Sequence, residues 1–162
     1  MALSDSSGSL RSYILDTSSI MAIPYQFPHT KDTIWNGITR LIEAGRLKSI
    51  ELVIEELKRH AVSAENAHVR LEPYKDCLLI PWHPLLTRAG VIAHDCSYLS
   101  PPNNPRLKAD PFIIAAAEVH NLTVVCDESY FHRRKMPAAC QQFHVPCVRL
   151  LDFVSDENLE LG

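Results

Sequence analysis

Apolar residues fall along this chain in short runs and at helical intervals, and the two patterns take turns. Tyr13-Ile14-Leu15 is a short apolar run that halts at the polar cluster Asp16-Thr17-Ser18-Ser19, which predicts a first strand ending in a loop. Over residues 30–44, Ile34, Trp35, Ile38, Leu41 and Ile42 recur at helical spacing, and Gly45 stands where a left-handed C-cap is wanted. Residues 47–50 read as a short strand or turn. Residues 52–59 begin a helix with Val53 and Leu57 on one face, and helical structure continues to about residue 76. A strand is expected over 77–81, a helix over 84–96 and a loop at the proline-rich stretch 100–105. An almost wholly apolar helix over 111–120, a buried strand over 122–126, a short helix over 136–143 and a last strand over 146–150 complete the pattern.

Strands alternating with helices imply βαβ units and a parallel sheet covered on both faces, an α/β/α sandwich of three layers. At 162 residues the chain has room for one substantial core. The expected organisation is a flexible N-terminus over 1–11, a domain over 12–154 and a C-terminal tail over 155–162. A composition of 46% hydrophobic and 22% charged residues excludes a disordered or fibrous class. The formal charge of -3 provides no general positive field, so a polyanionic substrate would need a local basic patch. Five cysteines without a CxxC pair point to a reducing, cytoplasmic setting rather than a disulfide framework. No leader peptide and no membrane span are expected. The eight histidines show no regular zinc-ligand spacing with the cysteines.

Ligands of open parallel sheets bind beyond the carboxyl ends of the strands, which directs attention to the acids placed there. Asp16 follows the first strand, Asp127-Glu128 follow the strand at 122–126, Asp110 precedes the apolar helix, and Glu55-Glu56 lie on the first turns of the helix after Ile50. These positions, far apart in sequence, are expected on one rim. Like charges gathered in a partly buried pocket oppose one another's ionisation, and a hard divalent cation relieves that conflict. Mg²⁺ or Mn²⁺ chemistry on phosphodiesters uses carboxylate ligands of this kind. Each acid also has a purely structural use. Asp110-Pro111 reads as an N-cap followed by proline at the first helical position, and Asp16 as a cap or Asx turn. Glu55 and Glu56 suit the positive end of a helix, and Asp127 and Glu128 a solvated loop.

Taken in order, the segments Tyr13-Ile14-Leu15-Asp16-Thr17-Ser18-Ser19, Val53-Ile54-Glu55-Glu56-Leu57-Lys58-Arg59, Lys108-Ala109-Asp110-Pro111-Phe112 and Thr123-Val124-Val125-Cys126-Asp127-Glu128 resemble the four acidic motifs of PIN-domain ribonucleases. The resemblance spans residues 12–154 and is closest to the VapC-type toxin branch, in particular a bacterial PIN-like group with an ADPF motif. It implies a metal-dependent endoribonuclease of the PIN-like fold, the toxin of a toxin–antitoxin pair, with RNA as substrate, a cognate antitoxin protein and a homodimer as partners. Asp16 and Asp110 match metal ligands, Glu56 is favoured over Glu55 because the family acid precedes a leucine, and Ser18 matches a small polar supporting position. At the fourth motif Cys126 stands where many relatives carry a hydroxyl, and both Asp127 and Glu128 remain candidates for the acid.

Basic residues adjoin the motifs: Lys58, Arg59, Arg106, Lys108 and the cluster His132-Arg133-Arg134-Lys135, with Tyr130 and Phe131 beside it. They suit phosphate and base contacts, or ordinary solvated surface. Two competing functions stand beside the nuclease. One is a PIN-like nucleic-acid-binding or scaffold module with weak or no turnover, favoured by the altered fourth motif. The other is phosphoryl transfer through Asp16 as nucleophile, which ranks last because the usual second Asp is Ser18 and a Gly-rich phosphate loop is missing.

Overall fold

The computed structural model describes residues 10–99, 108–128 and 135–161. Four parallel strands, β1 (Tyr13–Leu15), β2 (Leu47–Lys48), β3 (Thr123–Val125) and β4 (Cys147–Val148), form one sheet in the order β2-β1-β3-β4. Helices flank it in an α/β/α sandwich, as the alternating pattern predicts. They are α1 (Thr17–Gln26), α2 (Lys31–Glu43), α3 (Glu51–Arg59), α4 (Ala67–Leu71), α5 (Lys75–Leu78), α6 (Leu86–Asp95), α7 (Ala109–His120), α8 (Met136–Gln142) and α9 (Leu150–Asp156). The two central strands are buried at every position, which is why they read as continuous apolar runs rather than as alternating ones.

The register of these two strands sets the position of everything at the sheet edge. Leu15 pairs with Val125, and the Asp16 amide donates to the Val125 carbonyl at 3.0 Å. Both strands therefore end at one level, and the acids that follow them emerge side by side. Helix α7 packs on both strands and along α6, and eight of its residues are buried, among them Ile113, Ile114 and Ala115. Its apolar character on nearly every side follows from being enclosed on both sides.

Several local devices match the sequence. Helix α2 ends in a Schellman motif: Gly45 at φ +72°, its amide on the Ile42 carbonyl at 2.9 Å and the Arg46 amide on the Leu41 carbonyl at 2.9 Å. Trp35 is buried on the core face of that helix. Other expectations need correction. The polar stretch Thr17-Ser18-Ser19 opens a helix rather than a loop, because Asp16 caps it and the Ser19 hydroxyl bonds back to the Asp16 carbonyl at 2.7 Å. The strand expected over 77–81 shrinks to one bridge between Ser49 and Leu79, since residues 75–78 form a helical turn and Pro81 offers no amide to continue the ladder. The strand expected over 146–150 is only Cys147–Val148, because Leu150 starts α9. Helix α7 begins at Ala109, two residues before the expected start, with Lys108 rather than Asp110 as its cap. The loop expected at 100–105 and residues 1–9 of the N-terminus lie outside the described residues.

Residues beyond 154 are packed. Glu157 accepts the Tyr13 hydroxyl at 2.8 Å and a two-pronged Arg46 guanidinium at 2.7 and 3.0 Å, tying the end of the chain to the start of β1. Leu159 is buried over Gly37, where a Cβ would stand 2.7 Å from the Leu159 Cδ2 atom. Gly37→Val should therefore cost about 1–3 kcal/mol by overpacking. Combined with Leu159→Ala, the total loss in urea denaturation should fall below the sum of the two single losses; strict additivity would show that the two residues do not meet.

Candidate functional site

Asp16 is 2% exposed, and both carboxylate oxygens are held: the Thr17 amide donates to Oδ1 at 2.8 Å and the Ser18 hydroxyl to Oδ2 at 2.7 Å. This is an N-cap at the positive end of α1, a place where a negative charge is welcome. Burial nonetheless outweighs those bonds. With Glu128 and Glu56 nearby, it pushes the Asp16 carboxyl up from 3.8 to about 7. Asp110, on the first turn of α7, is raised well above its ordinary value by burial first, and then by the charges of Asp16, Glu128 and Glu56.

Glu56 is the brace between three helices. Its Oε2 accepts the Thr17 hydroxyl at 2.6 Å and its Oε1 accepts the Ala109 amide at 3.2 Å. The second bond explains why α7 starts early: the amide of its first residue, which has no partner inside the helix, finds the Glu56 carboxylate. Glu55, by contrast, is exposed. The fourth acid comes from the loop after β3. Glu128 accepts the Met136 amide at 3.0 Å, while its own amide donates to the Cys126 sulfur at 3.4 Å. The Cys147 thiol beside Cys126, followed by burial, pushes the Cys126 thiol far upward, so it stays neutral.

Asp16, Glu56, Asp110 and Glu128 line one cavity of about 950 Å³. Arg59, His60 and Lys108 add positive or titratable groups to its wall, and Met21 and Leu99 supply apolar surface. Asp127 does not line it; its carboxylate takes the Gln26 amide nitrogen at 2.5 Å and its backbone amide bonds the Ser18 hydroxyl at 3.1 Å. Among the described residues, no group of three or more Asp, Glu, His or Cys is arranged as a ready-made metal cage. Of the basic residues singled out in the sequence, Arg59 and Lys108 reach the cavity, Lys58 and Lys135 are exposed, and Arg106, Tyr130, Phe131, His132, Arg133 and Arg134 lie outside the described residues.

A family model described as a domain of unknown function, DUF4411, matches residues 13–161. The chain belongs to that family. Comparison with curated proteins finds no match. The DUF4411 match begins at the first residue of β1 and ends in the last helical turn, so it contains all four cavity acids.

Two contributors to this DUF4411 site were missed in the sequence. Thr17 was read as part of a loop, and His60 was passed over, although an i, i+4 relation to Glu56 puts it on the same helical face. The raised Asp16 carboxyl has a consequence for stability. Between its ordinary 3.8 and about 7, the folded protein holds a proton that the unfolded chain releases. This contribution to stability therefore declines as pH rises through that window. In chelator, the urea midpoint of the parent should drop more between pH 5 and pH 8 than that of Asp16→Asn; equal slopes would locate the pH dependence elsewhere.

Proposed function

We propose that this DUF4411 domain is a metal-dependent endoribonuclease whose reaction centre is the cavity holding Asp16, Glu56, Asp110 and Glu128. The observation that carries the reading is the meeting of these four acids, from four separate segments, where burial and their mutual repulsion raise the Asp16 and Asp110 carboxyls. The donor set fits a hard cation: every candidate ligand is a carboxylate oxygen. Mg²⁺ keeps several waters and is commonly held by one or two carboxylates with substrate phosphate, so a closed protein cage is not required. Asp16, Asp110, Glu56 and Glu128 would hold Mg²⁺ or Mn²⁺, which supplies charge neutralisation and an acidified water for attack on phosphorus.

The chain's own residues do the rest. Ser18 and the Thr17 amide orient Asp16, while Thr17 and the Ala109 amide fix Glu56. Lys108 and Arg59 offer cations to the phosphate backbone, and Met21 and Leu99 offer an apolar wall to sugar or base. The resemblance to VapC-type toxins places the activity in a toxin–antitoxin pair, for which growth arrest on expression, relieved by a neighbouring gene product, is the test.

A second reading, a PIN-like module that binds nucleic acid with little or no turnover, draws on Glu56, whose two carboxylate oxygens already accept protein hydrogen bonds. One assay separates the two. With Mn²⁺ and single-stranded RNA, the parent should cleave, chelator should stop it, and Asp16→Asn or Asp110→Asn should lose at least about 100-fold while remaining folded, as removal of a charge-stabilising group in a reaction centre does. Metal binding and RNA binding without cleavage would establish the second reading, and unimpaired variants would remove the centre from this cavity.

A further inference from the structure

Two adjacent acids follow β3, and only one enters the cavity. We propose that Gln26 and Asp127 form a latch that decides which, making Asp127 a positioning residue that sets Glu128 in the site rather than a ligand itself. The inference rests on the nuclease reading for its catalytic meaning, though the latch can be tested without it.

The latch has two attachments to α1, one at each end of the helix. At the far end, Gln26 donates its side-chain amide to the Asp127 Oδ2 at 2.5 Å. At the near end, the Ser18 hydroxyl accepts the Asp127 backbone amide at 3.1 Å while donating to Asp16. Asp127 is thereby held by both its main chain and its side chain. The next residue inherits that constraint, because consecutive side chains of an extended segment project to opposite sides. Glu128 lines the cavity and is fixed from the other direction by the Met136 amide at 3.0 Å. With the latch open, nothing in the Gln26 contact would distinguish the two carboxylates, and Asp127 would be free to compete for the same place.

The chemistry of the contact makes latch and ligand separable by substitution. A latch needs only an acceptor opposite the Gln26 amide, and the carbonyl of Asn supplies one. A metal ligand needs the anionic carboxylate. Asp127→Asn should therefore be tolerated, whereas Asp127→Ala and Gln26→Ala should each release the loop, and Gln26→Glu should open it by setting two carboxylates against each other.

Two measurements on the full chain test this. Hydrogen exchange in chelator follows the Met136 amide, whose protection should fall in Gln26→Ala and Asp127→Ala, be no lower in the double variant, and persist in Asp127→Asn. Calorimetry with Mn²⁺ alone should show the dissociation constant rising about tenfold or more in the two alanine variants, as for loss of a group that orients a metal ligand, with Asp127→Asn near the parent. If Asp127→Asn weakens Mn²⁺ binding as much as Glu128→Gln while Gln26→Ala leaves it intact, Asp127 is a ligand and the latch is overturned. If exchange at Met136 ignores all three variants, the latch is overturned as well. If exchange responds as expected and the parent binds no Mn²⁺, the latch stands and the metal-dependent reading falls.

Discussion

The in-register pairing of β1 with β3 is the contact on which the remaining arrangement depends. Leu15 lies opposite Val125, and the Asp16 amide closes the ladder on the Val125 carbonyl. A shift of one residue would turn the buried side chains of Tyr13, Ile14 and Leu15 to the opposite layer and move Asp16 along the edge. Because both strands are buried at every position, such a shift loses core contacts throughout the sheet centre. The same contacts that hold the core in place thus determine the distance between the acid after β1 and the loop after β3.

Against that pairing works the repulsion of the acids it brings together. Burial opposes the charge on Asp16 and Asp110, and each neighbouring carboxylate adds to the cost. The fold offsets part of this with donors. Thr17 and Ser18 serve Asp16, Thr17 and Ala109 serve Glu56, and Met136 serves Glu128. Three of these donors are backbone amides of the first residue of a helix, where such groups lack an internal partner. The helices α1, α7 and α8 accordingly start where they do because an acid receives their first amide. Site assembly and helix initiation are one event, which links the chemistry of the cavity to the stability of the domain.

The fold class was legible because alternation of apolar runs with helical spacing is a property of whole segments. Residues 13–15, 31–43, 109–120 and 123–125 carry enough apolar positions for the pattern to survive local noise. What failed was local and short. Residues 17–19 are polar and suggest a loop, yet the helix they open is held by Asp16 below and by the burial of Ile20 and Ile23 beyond. Residues 77–81 are apolar enough for a strand, but a strand needs a partner, and only Ser49 is placed to bond with Leu79. Asp110-Pro111 carries the local signature of a helix start, and it was overridden by the carboxylate of a residue more than 50 positions earlier.

By itself the sequence determined which residues are available for chemistry: four well-separated acidic segments, each next to a strand end or a helix start, and a choice of Glu56 over Glu55 from its leucine neighbour. It also determined that the sheet is parallel, since the strands are too apolar to tolerate water on either face. Only the tertiary structure decided how the acids are divided between cavity and surround. Asp127 and Glu128 are adjacent, equally charged and equally plausible in sequence. Their separation depends on Gln26 and Ser18, which lie more than 100 residues away along the chain and meet the loop only because β1 and β3 are neighbours. A choice between two like groups is made by the distances of distant donors, and those distances exist only in the folded chain.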